Sequence, residues 1–176
     1  MGNMGFYITE ETGDDRDGVR SVNVAAFGSR GEADVVDQLR ENCPVFLSLI
    51  AKNNERVIGH VLFTPVRLIQ DQDWSIEGMG LAPLAVLPAY QNMGVGSELC
   101  KEGLQQVEEA GYPYVVVLGD PSYYHRFGFE TARDYGIKSS FEDVPQDAFM
   151  IKIFDSKVME GAQGVVYYRE EFDSVT

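Results

Sequence analysis

Between Met1 and Arg67 the apolar positions fall into two rhythms. Tyr7–Thr9 is a short alternating stretch that predicts a first strand. Residues 14–27 then place Val19, Val22 and Ala26 at helical spacing behind an acidic start, which suits an amphipathic helix. Gly28-Ser29-Arg30-Gly31 breaks it, and residues 32–40 resume as a second helix with Val35, Val36 and Leu39 on one face. Residues 45–51 predict a strand, Asn53–Asn54 a turn, and residues 56–69 a long strand interrupted at Pro65. A polar turn at residues 70–73 leads to another extended run, 74–87, with Gly78 and Gly80 inside it. From Gly94 the period changes. Gly96, Leu99, Cys100, Gly103, Leu104 and Val107 recur at steps of three, one, three, one and three, one stripe of a helix laid on a sheet. Gly111 and Pro113 stop that helix. Residues 114–118 form a continuous valine-rich run, the mark of a strand buried on both faces. A turn at Gly119-Asp120-Pro121 precedes a short segment, 122–127; residues 134–146 read as irregular; 149–154 and 164–168 predict two closing strands.

The order is strand, two helices, a three-stranded meander, helix, strand, short helix and final strands. It predicts an α+β fold: a mixed, mostly antiparallel central sheet flanked by helices, with one right-handed crossover through the helix after Gly94. The 176 residues fit a single domain spanning 1–176.

Composition then removes several function classes. The chain has 14 Lys and Arg against 28 Asp and Glu, a formal charge of −14. Nucleic-acid binding, which needs clustered basic residues, is excluded. The charge reads as solubility, or as attraction for a cationic amine, and it sets a requirement: any anionic ligand must be met by strong local donors. Apolar runs fall short of the roughly 18–20 residues that span a bilayer, and the acidic N-terminus lacks a secretory pattern, so the expected location is cytoplasmic. Cys43 and Cys100 form neither a CxxC pair nor a disulfide framework, and His60 and His125 have no metal-binding spacing, so no metal is expected.

The chemistry concentrates in the run from Leu84 to Leu99, a strand, a glycine turn and a helix. The first turn of a helix carries N–H groups without intrahelical partners and a partial positive charge, a ready anion site. A P-loop is excluded because no Lys follows Gly96, and a dinucleotide fingerprint because Leu99 occupies its third glycine position. The pattern that remains is Q-x-x-G-x-G, at Gln91, Gly94 and Gly96, after V-x-P at Val86 and Pro88. Its glycines let backbone amides approach a pyrophosphate.

With that motif the chain resembles the GNAT superfamily of acyl-CoA-dependent N-acetyltransferases over nearly its whole length. Gln91-Asn92-Met93-Gly94-Val95-Gly96 matches the superfamily's acyl-CoA turn, and Tyr124 followed by Gly128-Phe129 matches a second signature downstream. Ala26-Phe27-Gly28, Gly59-His60 and Gly119-Asp120-Pro121 are similar to a group of small predicted acetyltransferases. The resemblance implies a GNAT-like fold with a splayed strand pair and acetyl-CoA as cosubstrate. It implies pyrophosphate binding by the backbone of Asn92, Met93, Gly94, Val95, Gly96 and Ser97, with Gln91 as a neutral hydrogen-bonding neighbour where many relatives have Arg. Leu84, Ala85 and Val86 would hold the pantetheine arm, the backbone N–H of Val86 would meet the thioester carbonyl, and Pro83 would help break strand pairing there. Tyr124 would contact the cofactor and act as general acid to the leaving thiolate, and Arg126 would reach a CoA phosphate.

The general base is the gap. Residues 80–86 contain no carboxylate, which leaves Glu77, earlier on the same run, or His60 on the preceding one. The implied reaction is direct acetyl transfer to a primary amine in a ternary complex. The alternative is a non-catalytic acyl-CoA-binding or sensor module on the same fold. The acceptor, a small molecule or peptide, would enter beside residues 26–31 and the C-terminal strands, with Phe27, Tyr167 and Tyr168 as aromatic walls; a homodimer through those strands is left open.

Overall fold

The computed structural model describes residues 5–175. They gather into two compact units, residues 5–63 with Pro83–Gly103 and Val175, and Thr64–Ala82 with Leu104–Ser174.

In the first unit β1 (Tyr7–Glu10) pairs antiparallel with β2 (Leu47–Asn53), and β2 with the first half of β3 (Arg56–Asp71). The β2–β3 hairpin turns at Asn54 and Glu55, both at positive φ, one residue later than the sequence predicts. Asp15 accepts from the N–H and hydroxyl of Thr12 and from Lys52, and so fixes the entry to α1 (Arg16–Phe27). These bonds hold its carboxyl below the usual range although burial opposes them. Helix α1 ends on Gly28 in the left-handed conformation, as the glycine break predicts. It buries Val19, Val22 and Asn23, while α2 (Gly31–Asn42) buries Ala33, Val35, Val36 and Leu39. Arg20 joins the two helices through Asp34 and Asp37, each at 2.7 Å. The end of β4 (Trp74–Val86) and the start of α3 (Val95–Glu109) also belong here. The Leu87 N–H donates to Ile58 O at 2.9 Å, and Gly59 brings α3 close to the sheet: a Cβ there would lie 2.8 Å from Val95 and 3.0 Å from Leu99.

In the second unit the rest of β4 pairs parallel with β5 (Tyr114–Leu118), as a strand–helix–strand connection requires. That ladder runs over Met79↔Val115 and Gly80↔Val116, while β5 itself continues to Leu118 against β8 (Phe149–Ile153). Between β5 and β8 lie α4 (Pro121–Tyr124), β6 (Glu130–Thr131) on β8, and β7 (Ile137–Ser139). Strand β9 (Gly164–Tyr167) pairs antiparallel with β3 at Arg67–Ile69 and parallel with β7. The segment expected to be irregular therefore contains a strand. Three residues are too few to show a period; β7 is held by pairing with a strand 27 positions on in register, Ile137↔Gly164. Strand β3 also runs through Pro65 rather than stopping there. Pro65 sits between Phe63, paired to β2, and Arg67, paired to β9, so its missing N–H breaks neither ladder.

The core of this unit gathers Val66, Leu68, Tyr114, Val116, Phe149, Ile151 and Val166. The Tyr114 ring lies over Gly78, where a Cβ would come within 2.5 Å of it, and its hydroxyl donates to Ile76 O at 2.8 Å. Burial pushes that phenol's pKa up. Among the described residues no helix is long and apolar enough to cross a membrane.

Candidate active site

The first unit carries the glycine turn. After Leu87 the chain makes one 3-10 turn, Pro88–Tyr90, and Gln91 returns to extended backbone. Asn92 then takes φ +63° and Gly94 φ +88°. Asparagine is among the few non-glycine types that adopt this region readily, and Gly94 has no Cβ to strain. The Gly94 carbonyl accepts from Glu98 N–H at 3.0 Å, so the helical ladder begins there. The N–H groups of Val95, Gly96 and Ser97 precede the first donor of that ladder and are free to meet an outside acceptor. The space beside Gly94 is open, with nothing within 4 Å of where a Cβ would stand. The turn thus presents N–H groups that precede the helical ladder, at the positive end of the helix dipole and beside open space.

Gln91 behaves differently from the sequence expectation. Its Nε2 donates to Val86 O at 3.1 Å, so the side chain closes the turn back onto the end of β4. Leu84 and Val86 are half-buried on one face, with Ala85 buried on the other. Met93 is exposed.

His60 is also in the first unit, and its surroundings argue against a general base. It is completely buried. Nδ1 lies 3.1 Å from Asn23 Nδ2 and Nε2 lies 3.0 Å from Ser48 Oγ. Ser48 donates its proton to Glu11 Oε1 at 2.6 Å, because an ionised carboxylate only accepts. Ser48 Oγ therefore accepts from His60 Nε2–H, and Nδ1 uses its lone pair to accept from Asn23. Both ring nitrogens are committed. Burial, with the Arg40 charge adding to it, lowers the imidazole pKa to about 3. The chain continues outward, Glu11 to Arg40 at 2.5 Å and Arg40 to Asp37 at 2.8 Å. Sequence reasoning missed this network, since partners 12 to 49 positions from His60 meet only after folding.

The second unit carries the tyrosine signature, and its spacing has a physical reason. Asp120 caps α4 by accepting from Ser122 N–H at 2.9 Å and Ser122 Oγ at 2.8 Å, bonds that lower its carboxyl's pKa. Gly119 has no side chain to block the Tyr124 ring that lies against it. Gly128 at φ +92° turns the chain back, while Lys152 Nζ donates to Phe127 O at 2.8 Å. Phe129, completely buried, then meets the Tyr124 ring edge-on at 5.8 Å. The Tyr, Gly and Phe are spaced so that the glycine returns the phenylalanine to support the tyrosine. Tyr123 packs on the same ring at 5.0 Å. Arg126 is exposed, its guanidinium 4.5 Å from the Tyr123 ring and its Nε donating to Tyr123 O at 3.2 Å. His125 is exposed. Glu77 is exposed on β4. Among the described residues no group of His, Cys, Asp or Glu is arranged to hold a metal.

A mixed, mostly antiparallel α+β fold with a short parallel ladder, an open glycine turn at a helix start and a Phe-supported tyrosine defines an acyl-CoA N-acyltransferase. The sequence model of the acetyltransferase (GNAT) family matches residues 17–129, and the chain belongs to that family. It is 37% identical over 160 residues to the uncharacterized N-acetyltransferase YhbS of Escherichia coli, covering 90% of this chain and 93% of that one. It is 38% identical to the uncharacterized N-acetyltransferase YjhQ of the same organism, covering 81% and 78%. The crystal structure of Escherichia coli YhbS in complex with CoA matches with a TM-score of 0.90 at 34% identity, covering 100% of this chain and 96% of that one. A GNAT acetyltransferase of Brucella melitensis in complex with acetyl-CoA matches with a TM-score of 0.75, also at 34% identity, covering 96% and 98%.

Proposed function

We propose that this protein transfers an acetyl group from acetyl-CoA to a primary amine, directly, within a ternary complex. The observation that carries the reading is the open turn at Gly94 with the bare N–H groups of Val95, Gly96 and Ser97. Two similar proteins at 34% identity were solved with CoA or acetyl-CoA bound, which supports the same donor here. In this reading the turn receives the pyrophosphate, and Leu84–Val86 hold the pantetheine arm by backbone hydrogen bonds. The Val86 N–H donates to the thioester oxygen as negative charge develops on it. Gln91 keeps the turn closed rather than touching phosphate. The amine nitrogen attacks the carbonyl carbon, a C–N bond forms, the C–S bond breaks, and the amine's surplus proton leaves to water. Tyr124 gives its proton to the departing thiolate and is reprotonated by solvent. Cytoplasmic location is part of the same reading.

The test is amine-dependent release of free CoA thiol from acetyl-CoA. Tyr124→Phe is expected to lower kcat by about 10²- to 10⁴-fold while changing acetyl-CoA affinity little. Equal turnover would remove Tyr124 as the acid. The neutral, fully committed His60 gives the sensor alternative its one specific support. Tight acetyl-CoA binding without thiol release for any amine would decide for that alternative.

A further inference from the structure

Arg20, Arg40, Lys52, Lys152 and Arg169 are the half-buried cations among the described residues. Four of these close on carboxylates: Arg20 on Asp34, Arg40 on Glu11, Lys52 on Asp15 and Arg169 on Glu171. Lys152 has no such partner among those residues, in a chain with 28 acidic side chains against 14 basic ones. A partly desolvated charge without a counter-charge costs stability, so it calls for a reason. Lysine is also depleted in strands, yet Lys152 stands inside β8, opposite Val115 of β5. Phe149 and Ile151 of β8 belong to the core, so Lys152 lies on the other face. Its ammonium ends on the tyrosine turn. Nζ donates to Phe127 O at 2.8 Å and occupies the space that a Cβ on Gly128 would need. The Phe154 ring lies 6.0 Å from the same nitrogen.

We propose that Lys152 is a positioning residue for Tyr124: it ties the turn that carries the phenol to the sheet. This rests on the reading of Tyr124 as general acid and deepens it. Tyr124 ends α4, a single helical turn, and the 3-10 turn His125–Phe127 follows. Segments this short do not hold their shape alone in water. Asp120 fixes the front end through Ser122. At the back end the carbonyls have no donor further along the helix, and a cation is their favoured outside partner. Lys152 is that partner for Phe127 O. Strand β8 is itself fixed on both sides, by β5 from Tyr114↔Ile153 to Leu118↔Phe149 and by β6 at Glu130↔Ile151. The bond therefore passes the register of a paired strand to the residue two before Phe129, the ring that meets Tyr124 edge-on. The same contact gives the signature glycine a second reason. Besides taking φ +92°, position 128 must leave room for an ammonium. A carboxylate beside Lys152 would draw that ammonium off the carbonyl, which accounts for its lack of one.

The experiment uses the full chain, Lys152→Met, Tyr124→Phe and the double variant, with benzylamine, spermidine and an alanine-terminated peptide as acceptors. Thiol release, acetyl-CoA affinity and Tm are measured for each. Methionine keeps the apolar stem and removes the charged donor. Lys152→Met is expected to lower kcat about 10- to 100-fold, the loss that a misplaced reacting group gives, with acetyl-CoA affinity within about twofold of wild type. In the Tyr124→Phe background the same substitution is expected to change kcat by less than about twofold, because no phenol proton is left to aim. Lys152→Gln, which keeps a shorter and neutral donor, runs through the same cycle should the Met variant not fold. A loss of kcat that persists in full in the Tyr124→Phe background would overturn the assignment, since Lys152 would then act elsewhere. A lowered Tm with wild-type kcat would overturn it too, because the bond would be structural. A slow Tyr124→Phe beside a Lys152→Met of wild-type kcat would sink this assignment alone. Equal turnover in Tyr124→Phe and wild type would sink the acid reading of Tyr124, and this one with it. Acetyl-CoA binding with no thiol release by wild type would sink the transferase reading itself.

Discussion

Gly59→Ala tests whether the start of α3 holds the donor's phosphates. The added methyl would lie 2.8 Å from Val95 Cγ1 and 3.0 Å from Leu99 Cδ1. Carbon atoms rest at about 3.5–4.0 Å, so roughly 1 Å must be found. Leu99 can yield at the end of a flexible chain. Val95 cannot, because its branch point fixes the rotamer and its backbone is the first residue of the helix. The first turn must therefore lift from β3. Overpacking of this kind costs about 1–3 kcal/mol, and a chain this long loses about 2–4 °C of Tm per kcal/mol. The same displacement takes the Val95 and Gly96 N–H groups out of the roughly 2.7–3.2 Å range of a good hydrogen bond. A bond to a charged acceptor contributes about 1.5–3 kcal/mol, so losing one weakens CoA binding about tenfold to a hundredfold. Gly103→Ala is the control. Its methyl would collide with the Phe63 ring two turns further along α3, with a similar loss of Tm but no shift of the first-turn donors. Calorimetric titration of CoA into both variants, with melting curves alongside, reads the difference. Equal CoA affinity in Gly59→Ala and wild type, at a reduced Tm, would show that the anion is not held at α3.

Two further outcomes follow from the buried network and one from the signature turn. His60 titrates near 3 in the folded chain against 6.5 unfolded, so below pH 6.5 the unfolded state takes a proton that the native state refuses. Stability from this group is full above about pH 6.5 and falls as pH drops toward 3, by up to about 1.4 kcal/mol per pH unit. The difference between wild-type and His60→Gln unfolding free energies measured across that window should show the slope, and a flat difference would refute it. Arg40→Met leaves Glu11, 6% exposed, with only Ser48 for its charge, and should cost about 3 kcal/mol or more by denaturant titration. Gly128→Ala forces a Cβ into φ +92° and into Lys152, and should lower Tm and broaden the Tyr124 environment seen by fluorescence or NMR; a silent substitution would show that the turn does not support the ring.

The elements that carry the donor motif were legible because each has a long, unmixed signal. Residues 114–118 form a strand with the predicted ends, and α3 follows the predicted stripe to within two residues. The two glycines at its ends, Gly94 and Gly111, both take positive φ. The turn and the tyrosine signature were legible as motifs because a ligand that meets backbone atoms constrains spacing and glycine, which a sequence displays. What could not be read is whatever depends on partners distant in the chain. His60 looks like a base beside Gly59 in sequence, yet Asn23, Ser48, Glu11 and Arg40 make it a buried structural joint. Gln91 looks like a phosphate ligand, yet it spends its amide on Val86 O. Strand β7 has too few residues to announce itself.

The charge of −14 and the Gln at position 91 together make a prediction about salt that separates this site from a basic phosphate pocket. A pocket built on Lys and Arg loses affinity as salt screens its charges. Here the turn offers neutral N–H groups, Gln91 is bound to Val86 O, and Arg126 lies on the Tyr123 ring. The attraction is therefore short-ranged and insensitive to salt, whereas the repulsion between an acidic protein and a polyanionic ligand is long-ranged and is screened within a Debye length of about 8 Å at physiological ionic strength. CoA should accordingly bind as tightly or more tightly at about 150 mM salt than at about 10 mM, with the gain in the association rate. Gln91→Arg places a charge beside the same donors, so it should tighten binding at low salt and reverse the slope. Stopped-flow binding of CoA at both ionic strengths measures each sign directly. Wild-type affinity that falls steeply with salt would mean that a basic side chain, not the helix start, carries the phosphate.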